Sequence, residues 1–481
     1  MKKHLLYINF CVLIFSNVSA QKNNIDTDKM KTDVIKNLQS SYQLYKNVAL
    51  DIWHFAEVGF KEIKSSALLQ KTLRENGFLV KPDVAGMPTA FVASYGTGKP
   101  VIAILAEYDA LPGLAQKATP EKSSIEGATA GHGCGHHLFG TASIAAGIEI
   151  KKLIEQKKIS GTVRIYGCPA EEGGSGKVYM VREGLFADVD AAIHWHPGNA
   201  NSVLKQGFLA NSSAKFRFHG VSSHAASSPE QGRSALDAVE AMNYMVNMMR
   251  EHVPQETRIH YIITSGGKAP NVVPDFAEVY YYVRHPKKNQ LMQIFERVTK
   301  AAEGAAVGTG TTMNFEIVGG THDLLLNNTL DEAMQKNLLR VGGVTYTKEE
   351  IEFGKKLQTS FGFKPPAIED AQNILPLQFQ PGGGSTDVGD VSYAVPTVGL
   401  WAATWIPGTP AHSWQAVACG GTEIGTKGMM VAAKTIALSA IDLFTDPSLL
   451  QNAKKEFVKA KGDYNYKPLL GNRKPALNYR D

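Results

Sequence analysis

The chain has 481 residues, 43% of them hydrophobic, and a formal charge of +5. That is long and apolar enough for a sizeable core and two domains, and the charge is too mild to point to nucleic acid as a partner. Its four cysteines do not make a disulfide framework.

The N-terminus reads as an export signal. Lys2 and Lys3 precede an apolar run from Leu5 to Phe15, and Val18-Ser19-Ala20 supplies small residues for cleavage before Gln21. The run is too short to span a membrane. Cys11 lies inside it and not at the cleavage point, and no later stretch reads as transmembrane. Removing residues 1–20 takes away two lysines and no acid, which lowers the charge to +3 and leaves Cys134, Cys168 and Cys419. The expected location is periplasmic or extracellular, without stable membrane insertion.

After a short polar lead, a helical pattern runs from Met30 to Phe55 and a second from Ser65 to Gly77. Phe91 to Tyr95 reads as a strand. Val101 to Glu107 is a nearly continuous apolar run, as in a strand covered on both faces of a parallel sheet. It ends in Glu107-Tyr108-Asp109-Ala110-Leu111-Pro112. Next comes Gly131-His132-Gly133-Cys134-Gly135-His136-His137, a thiol and three imidazoles with glycine at alternate positions. Glycine lets backbone approach a bound ion closely, and Cys and His are the softer metal ligands. Cys134 and His136 are two apart, which is wrong for one helix face, so the pair belongs on a loop leading into the helix expected from Leu138 to Lys158. Two other readings stand beside this one: a glycine-rich turn with incidental histidines, and a Cys134 thiolate activated by a neighbouring imidazole. A zinc finger is excluded, because no second Cys/His pair occurs at the required spacing.

Val163 to Cys168 is another buried-strand candidate and ends in Pro169-Ala170-Glu171-Glu172-Gly173-Gly174. Ala191 to Trp195 leads to His196-Pro197-Gly198, and Val398 to Thr404 leads to Gly408-Thr409-Pro410-Ala411-His412-Ser413. Four apolar strands thus each lead into a loop carrying Asp, Glu or His. In open α/β sheets, sites form where the carboxyl ends of strands converge.

Between the third and fourth of these strands the pattern changes. Ser213–His219, Ile259–Thr264, Ala277–Arg284 and Thr312–Val318 read as strands, and Ser234–Arg250 and Gln290–Ala305 as helices. That order, βαββαβ, is the ferredoxin-like arrangement. The main domain resumes with helices near 330–340 and 348–360, a weakly periodic loop at 364–380, a flexible turn at Gly382–Asp387 leading into Val388–Tyr393, and a last helix at 427–444. The tail after Asp446 is lysine-rich and expected to be peripheral. The expected fold class is therefore α/β: a main domain with a mostly parallel sheet flanked by helices, interrupted by a ferredoxin-like α+β insert. The boundaries are 1–20 for the signal, 21–207 and 326–450 for the main domain, 208–325 for the insert and 451–481 for the tail.

If Cys134, His136, Glu172, His196 and His412 converge, their mixed S, N and O donors suit divalent metal ions. An open zinc site usually has three protein ligands, so five fit two ions sharing a water better. Hydrolysis of an amide by an activated water needs a base that takes the proton and later delivers it to the leaving amine. The adjacent Glu171 and Glu172 offer a division of labour, although each alone also reads as an exposed loop carboxylate. Asp109 could orient a histidine ligand or simply cap a loop.

These motifs resemble the zinc-type metallopeptidase family of carboxypeptidase G, the aminoacylases and the hippurate or auxin-conjugate amidohydrolases, in the branch of p-aminobenzoyl-glutamate hydrolases and related dipeptidases. The resemblance rests on 107–113, 131–137 and 169–174, on Val-Ser-Ser-His at 221–224, on Ala-Pro-Asn-Val-Val-Pro-Asp at 269–275, on Ser-Thr-Asp-Val-Gly-Asp-Val-Ser at 385–392 and on Gly-Thr-Pro-Ala-His-Ser-Trp at 408–414. It implies that the main domain is catalytic and the insert a lid and dimerisation domain. It implies two divalent ions, zinc or manganese, held by Cys134, His136, Glu172, His196 and His412, with Glu171 as general base. It implies that His224 holds the carbonyl oxygen in the transition state, acting across a dimer interface, and that Asn271 and Arg284 bind substrate. The substrate would be an N-acyl or N-aroyl amino acid, with a dipeptide as the alternative, and the assembly a homodimer or a pair with a different, paralogous chain. His137 departs from the family pattern, which has Asn or Asp there, and His194 competes with His196 for the metal-facing role. A metal-containing binding protein with a dead site is the non-enzymatic rival.

Overall fold

The structure is a computed structural model that describes residues 26–480; the expected export signal at 1–20 lies outside them. The four apolar runs form the parallel heart of a seven-stranded sheet. Gly161–Gly167, Val101–Ala106, Ala191–Gly198 and Thr397–Ala403 lie side by side in that order, all parallel. Phe91–Thr97 and Leu79–Pro82 extend one edge antiparallel, and the short Ser202–Val203 finishes the other. Val101–Ala106 is buried at every residue because both sheet faces are covered. Ile102, Ile104 and Ala106 pack into one apolar cluster with the long helices, and Val101, Ala103 and Leu105 into a second cluster with Val178, Met180 and Val391. Parallel strands end at one edge, so the loops that follow these four meet there.

Two helices dominate the first face, His136–Glu155 and Glu423–Thr445, and they pack on each other. Glu423–Thr445 is long and apolar enough by composition to cross a membrane, but 78% of its apolar window is buried inside the protein. It is apolar all round because it is enclosed. The pattern expected as one helix over 30–55 is two, Thr27–Ser40 and Tyr42–Phe55, with the break at Ser41. The apolar period continues through the break, which is why the pattern alone reads as a single helix. Residues 388–394 are a short helix, Val388–Ala394.

The insert has strands Ala210–His219, Arg258–Ser265, Phe276–His285 and Thr312–Thr321, and helices Ala235–Met249 and Lys288–Thr309. Its sheet is antiparallel throughout, with Phe276–His285 and Ala210–His219 central and Arg258–Ser265 and Thr312–Thr321 at the edges. Phe216, Phe218, Val279 and Tyr281 face the two helices, and Ser234 caps the first of these by accepting from the Asp237 amide at 3.1 Å.

The tail is not peripheral as expected. Pro447–Lys461 is a helix with Ala453 as its buried residue, and its lysines are solvated, but the segment beyond turns back over the molecule. Leu469 packs against the core of the insert and Leu470 against the main domain. Arg473 donates to the Ile317 and Val318 carbonyls of the insert and pairs with Glu316 at 3.1 Å. Tyr466 donates to Asp390 at 2.8 Å in the main domain. Lysine content hid these few apolar and aromatic anchors.

Candidate metal centre

Cys134 and His136 lie at the start of a buried helix. His136 is its first residue, and Gly135 before it has φ of 75°. A side chain at 135 would also meet Pro197 at 2.8 Å, so this turn needs glycine twice over. Glu171 and Glu172 sit on a tight turn after the strand Gly161–Gly167. Ala170 and Ser175 on either side are both left-handed, with φ of 55° and 57°, a conformation that costs on the order of 1 kcal/mol or more per residue and concentrates at functional sites. Glu62 holds this turn: its carboxylate accepts from the Ala170 amide at 2.8 Å. His412 is left-handed too, with φ of 56°, and its amide donates to the Gly133 carbonyl at 3.0 Å.

Asp109 ties the first two loops together. One carboxylate oxygen accepts from His136 Nδ1 at 2.8 Å and the other from the Glu172 amide at 2.9 Å. In the neutral ring, donation from Nδ1 leaves the lone pair of His136 on Nε2. In the same way, His196 Nδ1 donates to the Pro197 carbonyl at 2.7 Å and frees its Nε2. His412 Nε2 lies 2.9 Å from Cys134 Sγ and 3.1 Å from Glu172 Oε1. Three donor groups result, each with its atoms within 4.8 Å of one another: Cys134, His136 and His196; Cys134, Glu172 and His412; and Glu107, His136 and Glu171. The first two share the thiol and between them contain all five residues expected as ligands.

These residues fit divalent cations. Glu107 Oε2 and His136 Nε2 face each other at 3.1 Å and Glu172 Oε1 faces His412 Nε2 at 3.1 Å, yet Glu107 Oε2, His136 Nε2 and Glu172 Oε1 are buried without a well-formed hydrogen bond, and a cation would satisfy them. The carboxylates also call for positive charge. Burial opposes a proton on His136, yet Asp109 and Glu107 outweigh it and raise its pKa to about 10. Burial and the facing Glu172 push the Cys134 thiol well up, which opposes a free thiolate nucleophile and leaves the thiol as a ligand that a cation would ionise. Burial, Glu107 and Glu172 push the Glu171 carboxyl well above its usual range, and cations held beside it would offset that push and favour the carboxylate.

A cavity of about 510 Å³ opens over these donors, large enough for a small amide substrate; Glu171, His196, Arg284, Asp387, His412 and Arg480 are among its walls. His224 and Asn271 do not line it; both are exposed on the insert. His224 Nδ1 accepts from the Ala226 and Ser227 amides at 3.2 and 3.1 Å, so the neutral ring carries its proton on Nε2. His194 is on the same face of its strand as His196 but belongs to none of the donor groups, and Gly399 makes room for its ring. His137 lies apart, with Nε2 on the Gly420 carbonyl at 3.0 Å and its ring 4.7 Å from His132.

Lys177 was missed from the sequence. It is wholly buried, with Nζ 2.6 Å from Glu107 Oε1 and 2.7 Å from Asp387 Oδ1. Burial alone would neutralise it, but Asp387 and Glu107 hold it protonated. A lysine in the otherwise apolar Val-Tyr-Met-Val helix Gly176–Arg182 was the available signal, since a buried cation requires buried partners.

Comparison with known proteins agrees with this architecture. A family model for the M20 peptidase dimerisation domain matches residues 210–309, the insert. Over 446 residues the chain is 42% identical to one of the subunits of p-aminobenzoyl-glutamate hydrolase from Escherichia coli, covering 87% of this chain and 93% of that one. It is 29% identical over 424 residues to Xaa-Arg dipeptidase of Mus musculus, covering 84% and 87%. Among solved structures, a dinuclear metal-binding peptidase of the M20 family from Bacillus subtilis superposes with a TM-score of 0.57 at 18% identity, over 84% of this chain and 99% of that one. The chain belongs to the M20 family of metallopeptidases and amidohydrolases. It is a metal-dependent hydrolase of amide bonds, in a family whose members hold paired metal ions.

Proposed function

We propose that this protein cleaves the amide of an N-acyl or N-aroyl amino acid of the p-aminobenzoyl-glutamate kind, with Cys134, His136, Glu172, His196 and His412 holding two zinc or manganese ions and Glu171 as general base. The observation that carries this reading is the pair of donor groups sharing Cys134, with the Glu171 carboxylate beside them and in neither. The ions, when bound, supply Lewis acidity towards a water and the amide carbonyl. Glu171 takes the proton of the attacking water and returns it to the amide nitrogen as the C–N bond breaks, leaving a carboxylic acid and a free amine. Its left-handed flanking residues and the Glu62 contact hold it in place for both transfers. Lys177 offsets one of the two charges of Glu107 and Asp387, so the floor of the site repels an anionic substrate less. Arg284 rests on Tyr282 at 5.5 Å, and its Nε is buried without a partner; its guanidinium is free to take a substrate carboxylate through two parallel bonds. His224 and Asn271 would serve the site of an associated copy, which their exposure on the dimerisation domain supports. The partner is a second copy or, since the Escherichia coli relative is named as one subunit of its enzyme, a paralogous chain. Export to the periplasm or beyond belongs to the same reading. A metallo-dipeptidase of the same mechanism is the second reading, favoured by the similarity to Xaa-Arg dipeptidase.

The test is a metal measurement and an assay on one preparation of the mature chain, using p-aminobenzoyl-glutamate, N-acyl amino acids and dipeptides with and without chelator. About two ions per chain and chelator-sensitive turnover of the aroyl amino acid are expected. Turnover of dipeptides alone would move the assignment to the second reading. Full activity without metal would sink both.

A further inference from the structure

The segment 462–480 reaches the cavity, and the five donors and the base leave the arginine it delivers there without a role. Arg480 lines the same cavity as Arg284. Its guanidinium donates through Nη2 to the main-chain carbonyl of Glu172 at 2.6 Å, while Nε is buried without a partner. Arg284 Nε is likewise buried and unpartnered. Among the described residues neither arginine pairs with a carboxylate, although Glu107, Glu171, Glu172 and Asp387 all line the cavity. A guanidinium cannot shed its proton to escape this situation. Two cations in one cavity that pair with no carboxylate of the described residues make sites for two anionic groups of a ligand.

Arg480 is held there by the whole strap. Arg473 fixes the strap to the insert, and the Arg182 guanidinium of the main domain donates to the Arg473 carbonyl at 2.6 Å. Tyr479 donates to the Glu172 carbonyl at 2.9 Å, sets its ring edge-on to Phe60, and carries the Arg480 guanidinium 4.7 Å above its ring. Gly59 makes this seat: a Cβ there would fall 2.1 Å from the Tyr479 hydroxyl. Anchors on both domains and a cleared floor are what a positioned binding group needs.

We propose that Arg480 is a specificity-determining, substrate-binding residue that takes one carboxylate of a dianionic substrate while Arg284 takes the other, so that the amino acid released is dicarboxylic. This rests on the amidohydrolase reading above and narrows its substrate class. The α-carboxylate and the side-chain carboxylate are divided between the two arginines.

The test uses N-benzoyl-glutamate and its two mono-amides, N-benzoyl-glutamine and N-benzoyl-isoglutamine. The wild-type enzyme should prefer the diacid over each mono-amide by roughly 10- to 100-fold in kcat/KM, the range for one charge-assisted pair. Arg480→Ala should erase the preference over one mono-amide, through KM, and Arg284→Ala the preference over the other. Arg480→Gln, which can still donate to the Glu172 carbonyl, should behave like Arg480→Ala, and Arg480→Lys should keep part of the preference. If Arg480→Ala lowers all three substrates equally, or lowers metal content, the residue is a prop for Glu172 and the proposal falls. Calorimetry with glutarate against pentanoate reads the same contact without turnover: Arg480→Gln should bind glutarate roughly 10-fold or more weakly and pentanoate unchanged. Should no benzoyl substrate turn over while this difference holds, the reaction assignment fails and the anion site stands. Equal glutarate binding by wild type and Arg480→Gln overturns the site.

Discussion

Glu171 owes its position to residues that gain nothing from being where they are. Ala170 and Ser175 hold left-handed conformations with Cβ atoms present, and Glu62 and Asp109 commit buried carboxylate oxygens to the amides of Ala170 and Glu172. Glu171→Gln keeps the shape and removes the base, so kcat should fall by roughly 10²–10⁴-fold with metal content unchanged by atomic absorption; near-normal turnover would remove Glu171 from the mechanism. Asp109→Asn presents an amide where two acceptors are needed, so either His136 or the Glu172 amide loses its partner. Metal affinity should fall about 10- to 100-fold, read by competition with a chromogenic chelator, and an unchanged affinity would mean that the loops are set by packing alone. The contiguous Cys134-Gly135-His136 and Glu171-Glu172 pairs were legible because donor chemistry lies next to donor chemistry in the chain. Lys177 and Arg480 were not, because each acquires meaning only from partners distant in sequence, Glu107 and Asp387 for Lys177 and Glu172 for Arg480.

The same division appears among elements. Strands buried on both faces announce themselves as unbroken apolar runs, so all four parallel strands could be read, and with them the edge of the sheet where the loops meet. The break at Ser41 could not, because it interrupts hydrogen bonding without interrupting apolar period. Asp331 marks another element whose sequence is silent about its cost. It lies on the buried side of the helix Asn328–Val341, 2% exposed, with Oδ2 lacking any partner, and burial raises its carboxyl to about 7 against the opposing pull of Lys205. Its unfolded value is about 3.9, so the folded state binds the proton more tightly. The stability this carboxyl contributes is complete below about pH 4 and drains away as pH rises through 7, by at most roughly 4 kcal/mol. Asp331→Asn abolishes that titration. The variant should therefore gain Tm over wild type as pH is raised from 4.5 to 8.5; a gap that stays constant or closes with rising pH would show that the carboxyl ionises freely.

At the scale of the molecule, the insert shows its fold in the order of its elements, βαββαβ, but not whose site it serves. Within one chain, the exposed His224 and Asn271 stand outside the cavity that Arg284 and Arg480 line, and the strap that ties Arg473 to Glu316 and Tyr466 to Asp390 fixes the insert against its own main domain. Bringing His224 to its own Glu171 would mean breaking those ties, whereas a second copy can offer its insert without breaking any. If the copies pair with two-fold symmetry, each site holds Glu171 from one chain and His224 from the other. Glu171→Ala and His224→Ala should each be inactive alone. Mixing them under conditions that exchange protomers should restore activity, because in the mixed pair one site inherits both intact residues and the other neither. Random exchange makes half the pairs mixed with one working site each, so recovery should plateau at roughly one quarter of the wild-type rate. A mixture as inactive as its components, with exchange verified by mass spectrometry, would mean that His224 works within its own chain or that a paralogous chain supplies its counterpart. Restoration by a paralogous chain and not by the complementary variant would decide between those two.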